Sequence, residues 1–268
     1  MRSRLLELTF SEGWLYNFQR LHNIKSRRMQ GEAGASCAAS VEKGRVALCA
    51  RIVDYEAKDV HNLDETELYY WRKGDKKRLA VTVTANADAT EKLPLLFVSS
   101  AVKPRCFGRQ SGEYHGVRNK STKKSWMTRA LFQEWLDQIN ERMKKEGRHV
   151  RCSWTKLLSS VEIEMLPPNT TSVLQPMDAG VIACLKAYFH RRQGCHAVDV
   201  ADSVIDDEEK STKDIYKVDV LQAMHWCRDA WESVTQSTIA NCWKHTGIIP
   251  EDLYELIQGI ANVRLEST

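Results

Sequence analysis

The apolar residues change period twice between residues 78 and 166, and that change decides what this chain can fold into. Arg78-Leu79-Ala80-Val81-Thr82-Val83-Thr84 alternates and is rich in β-branched side chains, which is a strand pattern. Leu93 to Ser99 repeats it, with Ala87-Asp88-Ala89-Thr90 making the turn between them. The period then lengthens. Leu131, Phe132, Trp135, Leu136, Ile139 and Met143 fall on one helical face, with Thr128 as cap and Lys144, Lys145 and Gly147 as the stop. Short strands return near 149–153 and at Val161 to Leu166, where Pro167-Pro168-Asn169 stops the chain. Upstream, His61 to Thr66 leads into the aromatic Tyr69-Tyr70-Trp71, a further strand.

Helical spacing takes over downstream. One helix starts near Asp178 with Val181, Ile182, Leu185 and Phe189 inward, and a second carries Val220, Leu221, Met224, Cys227, Trp231 and Val234. Ile239, Cys242 and Trp243 begin a last one before Gly247 and Pro250. Three strands, a helix, two strands and then helices predict an α/β domain with a mixed sheet flanked by helices.

The first residues read differently. Trp14, Leu15, Phe18 and Leu21 recur at helical spacing after Ser11, residues 31–45 are small and polar like a linker, and Val46 to Ile52 is a short helix. Residues 199–214 carry seven acidic side chains and read as a solvated loop or insertion. The formal net charge is +4 over 268 residues. All of it lies in residues 1–31, with six basic and two acidic side chains, while the remainder balances at 33 of each. A localised basic segment suits a polyanion such as DNA. A solvated helix face explains the same charges.

Several classes are excluded. The longest apolar run, Leu93 to Val98, contains Pro94 and falls far short of the roughly 20 residues that span a bilayer. Glu7 and Glu12 interrupt what would be a signal-peptide core. The eight cysteines form no CxxC pair, and the nearest, Cys184 and Cys195, are eleven positions apart. That spacing suits scattered thiols better than zinc, including around His190, Cys195 and His196. A soluble intracellular protein without a membrane partner is expected.

Two acidic residues stand out by position. Asp64 shares a strand face with Val60 and Asn62, and Asp178 shares a helix face with Val181, Ile182 and Leu185. An aspartate on a sheet and another on a helix packed against it can converge, and such carboxylates bind Mg²⁺. A turn-forming Asp64 and a helix-capping Asp178 explain the same residues.

Five words occur in order. Asn62-Leu63-Asp64-Glu65-Thr66 comes first, then Lys103-Pro104-Arg105-Cys106-Phe107, Ser125-Trp126-Met127-Thr128, Leu166 to Ser172, and Leu174 to Ile182. Together they resemble the DDE superfamily endonuclease domain of pogo/Tigger-type transposases, shared by jerky-like and centromere protein B-like proteins. The block from Leu166 to Ile182 is the most specific. Gly13-Trp14-Leu15 through Arg28, with Gln30-Gly31-Glu32, resembles the end of the helix-turn-helix region that precedes that domain, and Val218 to Gly247 looks like the family's closing helices.

The resemblance implies a ribonuclease H-like fold and three metal-binding aspartates, with Mg²⁺ as cofactor, DNA as partner, no small-molecule substrate, and the nucleus as location. By resemblance Asp64 is the first aspartate and Asp178 the third. The second should end the strand after the long helix, in an Asp-Asn turn. No Asp or Glu occurs from Arg148 to Ser160, so that strand and its aspartate read as deleted, with Arg151 adding positive charge where ligands belong. Glu162 or Glu164 would have to stand in. The expected organisation is a helix-turn-helix remnant (1–32), a linker with a short helix (33–57), a DDE endonuclease-like domain (58–250) with an acidic insertion at about 197–216, and a tail (251–268). Arg20, Lys25, Arg27 and Arg28 would carry non-specific DNA binding. The expected function is a nucleic-acid-binding protein derived from a transposase, inactive through its incomplete triad. The alternatives are an active Mg²⁺-dependent endonuclease or strand-transferase, and a transposon remnant without function.

Overall fold

The structure, a computed structural model, describes residues 37–70, 78–152, 161–164, 166–205 and 218–249. The expected helix after Ser11 and the basic residues Arg20, Lys25, Arg27 and Arg28 lie outside the described residues.

Six strands form one sheet: β1 (Val60–Tyr69), β2 (Arg78–Asn86), β3 (Leu96–Ser99), β4 (Arg118–Ser121), β5 (Val150–Cys152) and β6 (Val161–Ile163), in the order β4-β3-β2-β1-β5-β6. The first three are antiparallel, with Asp64 opposite Val83, and β5 and β6 join β1 in parallel. The β1 to β3 meander followed by parallel strands on its far side gives the ribonuclease H-like mixed sheet expected from the sequence. Strand β4 was not expected. Its Arg-Asn-Lys-Ser residues show no alternation, and they form a strand because β3 offers a sheet edge to pair with in parallel.

Each face of the sheet buries one apolar layer. Helix α2 (Arg129–Glu146) lays Trp135, Leu136, Ile139 and Met143 over Leu63, Leu96, Val150 and Val161. Thr128 caps it, its side chain accepting from the Leu131 N–H, and Gly147 ends it in the left-handed conformation that glycine tolerates best. The opposite face packs Val60, Leu68, Val81, Val83 and Phe97 under α1 (Ala38–Ile52), a short turn α3 (Thr171–Leu174), α4 (Ile182–Ile205), α5 (Val220–Ser233) and α6 (Gln236–Thr246).

Two local expectations change. The residues read as linker form most of α1, which begins at Ala38 rather than Val46 and buries Val41, Gly44, Leu48 and Ile52. Gly44 permits this approach, since a Cβ there would lie 2.8 Å from Pro167 Cγ. Helix α4 continues to Ile205, so the first acidic residues of 199–214 are helical.

Candidate active site

Asp64 sits midway along β1, on the face that carries Val60 and Leu68 into the larger core. Its Oδ1 accepts from the Glu65 N–H at 2.7 Å. The segment that delivers Asp178 is fastened to the same strand. Asn62 Oδ1 accepts from the Met177 N–H at 3.0 Å, and buried Gln175 points its amide toward the Leu63 carbonyl at 3.4 Å. Thr170 Oγ1 donates to the Pro167 carbonyl at 2.7 Å, closing the Pro-Pro-Asn-Thr turn that feeds this segment. Met177–Val181 then forms a kinked turn, broken by the non-helical Gly180, that leads into α4. Gly180 within it lets α6 close in, since a Cβ there would meet Cys242 Sγ at 3.0 Å.

The result brings the Asp64 and Asp178 side chains within hydrogen-bonding reach. Asp178 lies in the first part of this kinked turn, two residues after its N-cap Pro176, and does not itself cap a helix. Burial first, and then the negative charge of Asp178, push the Asp64 carboxyl up to about 7, against the pull of its hydrogen bonds from Glu65 and Gln175. A carboxyl held that high near another acid stands ready to exchange its proton for a cation.

The region of the second aspartate differs from expectation. The strand after the long helix is present: β5 pairs with β1, Val60 to Arg151 and His61 to Cys152. Residues 153–160 lie outside the described residues and contain no Asp or Glu. Arg151 does not intrude on the carboxylates. It shares their sheet face but lies level with Val60, four residues before Asp64, or about 13 Å at 3.3 Å per residue. There its guanidinium stacks over Tyr55 at 4.7 Å and stands 4.0 Å from Glu164 Oε2. Glu164 also pairs with Arg51 of α1, so the described partners of this expected stand-in are two cations. The side chain of Glu162, the other expected stand-in, lies outside the described residues.

Among the described residues, no three His, Cys, Asp or Glu side chains gather into a metal-ligating group. Asp64 and Asp178 offer hard carboxylate oxygens of the kind that bind a divalent cation, with water or phosphate oxygens completing its shell. The sequence marked both aspartates and quoted Asn62 and Gln175 within its motifs, but gave those two amides no role. Their work is tertiary, and only the docking of Leu174 to Asp178 on β1 reveals it.

A mixed sheet with one aspartate on its central strand and another on the turn facing it is the frame of a DDE endonuclease-like domain. The chain belongs to the DDE superfamily endonuclease family, which matches residues 76–243 and so includes Asp178 but starts after Asp64. It is related to the human Tigger transposable element-derived protein 7, at 26% identity over 93% of this chain and 54% of that protein. It is also similar to the mouse Tigger transposable element-derived protein 4 (29% identity, 88% of this chain, 49% of that protein) and to the human major centromere autoantigen B (25%, 90% and 46%). The chain thus spans about half the length of these curated relatives. The alignment to the first covers 300 positions, more than the chain possesses, so that relative carries residues without a counterpart here. Among solved structures, the Mos1 transposase paired-end complex with left transposon end is similar at 11% identity over 88% of this chain and 72% of that one, with a TM-score of 0.40. No helix among the described residues is long and apolar enough to cross a membrane.

Proposed function

We propose that this chain is a nucleic-acid-binding protein derived from a transposase, nuclear in location, whose endonuclease-like domain no longer cuts DNA. The observation that carries this reading is a pair of carboxylates, Asp64 and Asp178, brought together without a third among the described residues. In the two-metal reaction one ion activates the attacking oxygen and the other stabilises the leaving one, and carboxylates must offset the repulsion between the ions. Two carboxylates hold at most one ion firmly. Loss of even a neutral catalytic donor costs roughly 10² to 10³ in rate, and loss of an anionic ligand costs at least that.

What remains to Asp64 and Asp178 is binding. The pair can hold one Mg²⁺ that neutralises a phosphate laid against it, while Asn62 and Gln175 fix the turn that presents Asp178. Sequence-independent affinity for DNA then rests on phosphate neutralisation by basic side chains, with Arg20, Lys25, Arg27 and Arg28 as its first source. A nicking assay on supercoiled plasmid with Mg²⁺ or Mn²⁺ tests the reading, comparing this chain with an Asp64→Ala, Asp178→Ala double variant. Equal silence from both supports it. Cleavage by the first and not the second refutes it and makes the chain an active endonuclease.

A further inference from the structure

Charge is also concentrated far from the first residues. Residues 101–131 hold eight Lys or Arg side chains and a single carboxylate, Glu113. These residues run from the loop after β3, through edge strand β4, to the first turn of α2. Among the described residues only Lys120 of this set has a carboxylate partner, Glu134 at 2.6 Å. Arg105, Arg118, Lys123, Lys124 and Arg129 are all exposed. Arg118 and Lys120 line a hollow with Glu113 and Glu134, whereas Lys123, Lys124 and Arg129 stand outside it.

The Lys123-Lys124 loop is held in place. The Thr122 N–H donates to the Ser99 carbonyl at 3.0 Å, and Thr122 Oγ1 to the Trp126 carbonyl at 2.9 Å. Arg78 reaches the Lys124 carbonyl at 3.1 Å and lies over the Trp126 ring at 4.8 Å. Trp126 is nonetheless 41% exposed. The loop ends where the Met127 N–H donates to Glu65 Oε1 at 3.0 Å, one residue along β1 from Asp64. Successive strand residues point to opposite faces, so the cations lie across the sheet from the carboxylate pair, at the same level of β1.

We infer that this surface is a second DNA-docking site, in which Lys123, Lys124 and Arg129 neutralise backbone phosphates and the exposed Trp126 indole lies against the strand. The inference rests on the nucleic-acid-binding reading above and adds a contact surface within the endonuclease-like domain. Charge complementarity selects a polyanion, and a fixed, cation-backed indole among the lysines offers an apolar surface that the sugars of a DNA backbone can cover and an acidic peptide backbone cannot.

The test is fluorescence anisotropy of a labelled random-sequence duplex with the full chain over a salt series. The Lys123→Ala, Lys124→Ala, Arg129→Ala triple variant is compared with a Lys144→Ala, Lys145→Ala control at the far end of α2. An Arg20→Ala, Lys25→Ala, Arg27→Ala, Arg28→Ala variant is measured beside them. Each lost phosphate contact lowers the log–log salt slope by about 0.9, so the triple variant is expected to lose about 2.7 and the control almost nothing. Lys123, Lys124, Arg129, Lys144 and Lys145 are exposed, and an unchanged melting curve verifies folding of every variant. Binding by the unaltered chain with no change in the triple variant, or an equal loss in the control, overturns the second site while leaving the wider reading intact. Displacement of the duplex by polyglutamate at matched charge overturns the choice of DNA. No binding by the unaltered chain removes the wider reading and this inference together.

Discussion

Replacing Asp64 by Asn should make the protein more stable, and the gain should depend on pH. The amide keeps an oxygen for the Glu65 N–H, so the local hydrogen bond survives. What is lost is a charge that the fold disfavours. Each tenfold change in proton affinity is worth about 1.4 kcal/mol, so moving this carboxyl from 3.8 to about 7 costs at most roughly 4 kcal/mol once it is ionised. Asp64 is only half-buried and Asp178 is exposed, so solvent screens part of that. A gain of about 2 kcal/mol is the working figure.

The sign follows from proton counting. Between pH 4 and 7 the folded state holds the Asp64 proton more tightly than the unfolded state, so wild-type stability falls as pH rises through that window and levels off above it. The Asn variant lacks this fall. Urea titrations should therefore show little difference at pH 4 and the full gain at pH 8. At pH 8, 10 mM Mg²⁺ should stabilise the wild type and leave the variant unmoved. Equal or lower stability of the variant at pH 8, or a gain of the same size at both pH values, would refute the argument that the pair is strained.

Three further outcomes test the frame around the site. Glu91 is held down to about 2, first by His61, with Arg148 and Arg142 adding to it; Glu91→Gln should cost about 1–2 kcal/mol at pH 7. Because that stability exists above the unfolded value near 4.5 and is lost as pH falls through about 2, the two proteins should converge on acidification, read by circular dichroism. Lys92 donates to the carbonyls of Trp231, Glu232 and Val234 at 2.8, 3.0 and 2.8 Å, closing the C-terminus of α5, so Lys92→Met should cost about 2 kcal/mol in a urea titration. Gly44→Ala drives a Cβ against the Pro167 ring and should cost about 1–3 kcal/mol by thermal melt, whereas an unchanged midpoint would mean that α1 does not pack as described.

The sequence exposes what is amphipathic and conceals what is tertiary. Helices α2 and α5 were legible because each buries one face and exposes another at its own period, and β2, though buried on both faces, was legible from its β-branched alternation. Helix α1 was not: only Val41, Gly44, Leu48 and Ile52 are buried, one a glycine, and the rest of its first half is small or polar. Asp64 and Asp178 could be placed on inward faces by periodicity, but their meeting depends on Asn62 holding Met177, a contact 115 residues apart. Arg151 misled for the opposite reason. Its charge is plain in the sequence, but its neutral setting between Tyr55 and Glu164 requires α1 and the end of β6 to be in place.

The carboxylate pair adds nothing to folding. The core closes on both sides of the sheet without it, through Leu63, Leu136 and Met143 on one face and Val83, Leu185 and Trp243 on the other. Asp64, by contrast, is carried at an energetic cost, with its proton affinity raised by burial and by a second acid. Local groups that cost stability while the surrounding structure fixes them belong to binding or chemistry rather than support. Glu164, just past β6, is engaged by Arg51 and stands 4.0 Å from Arg151. On the reading proposed above, the two carboxylates gather a cation and the phosphate laid against it without cutting the strand.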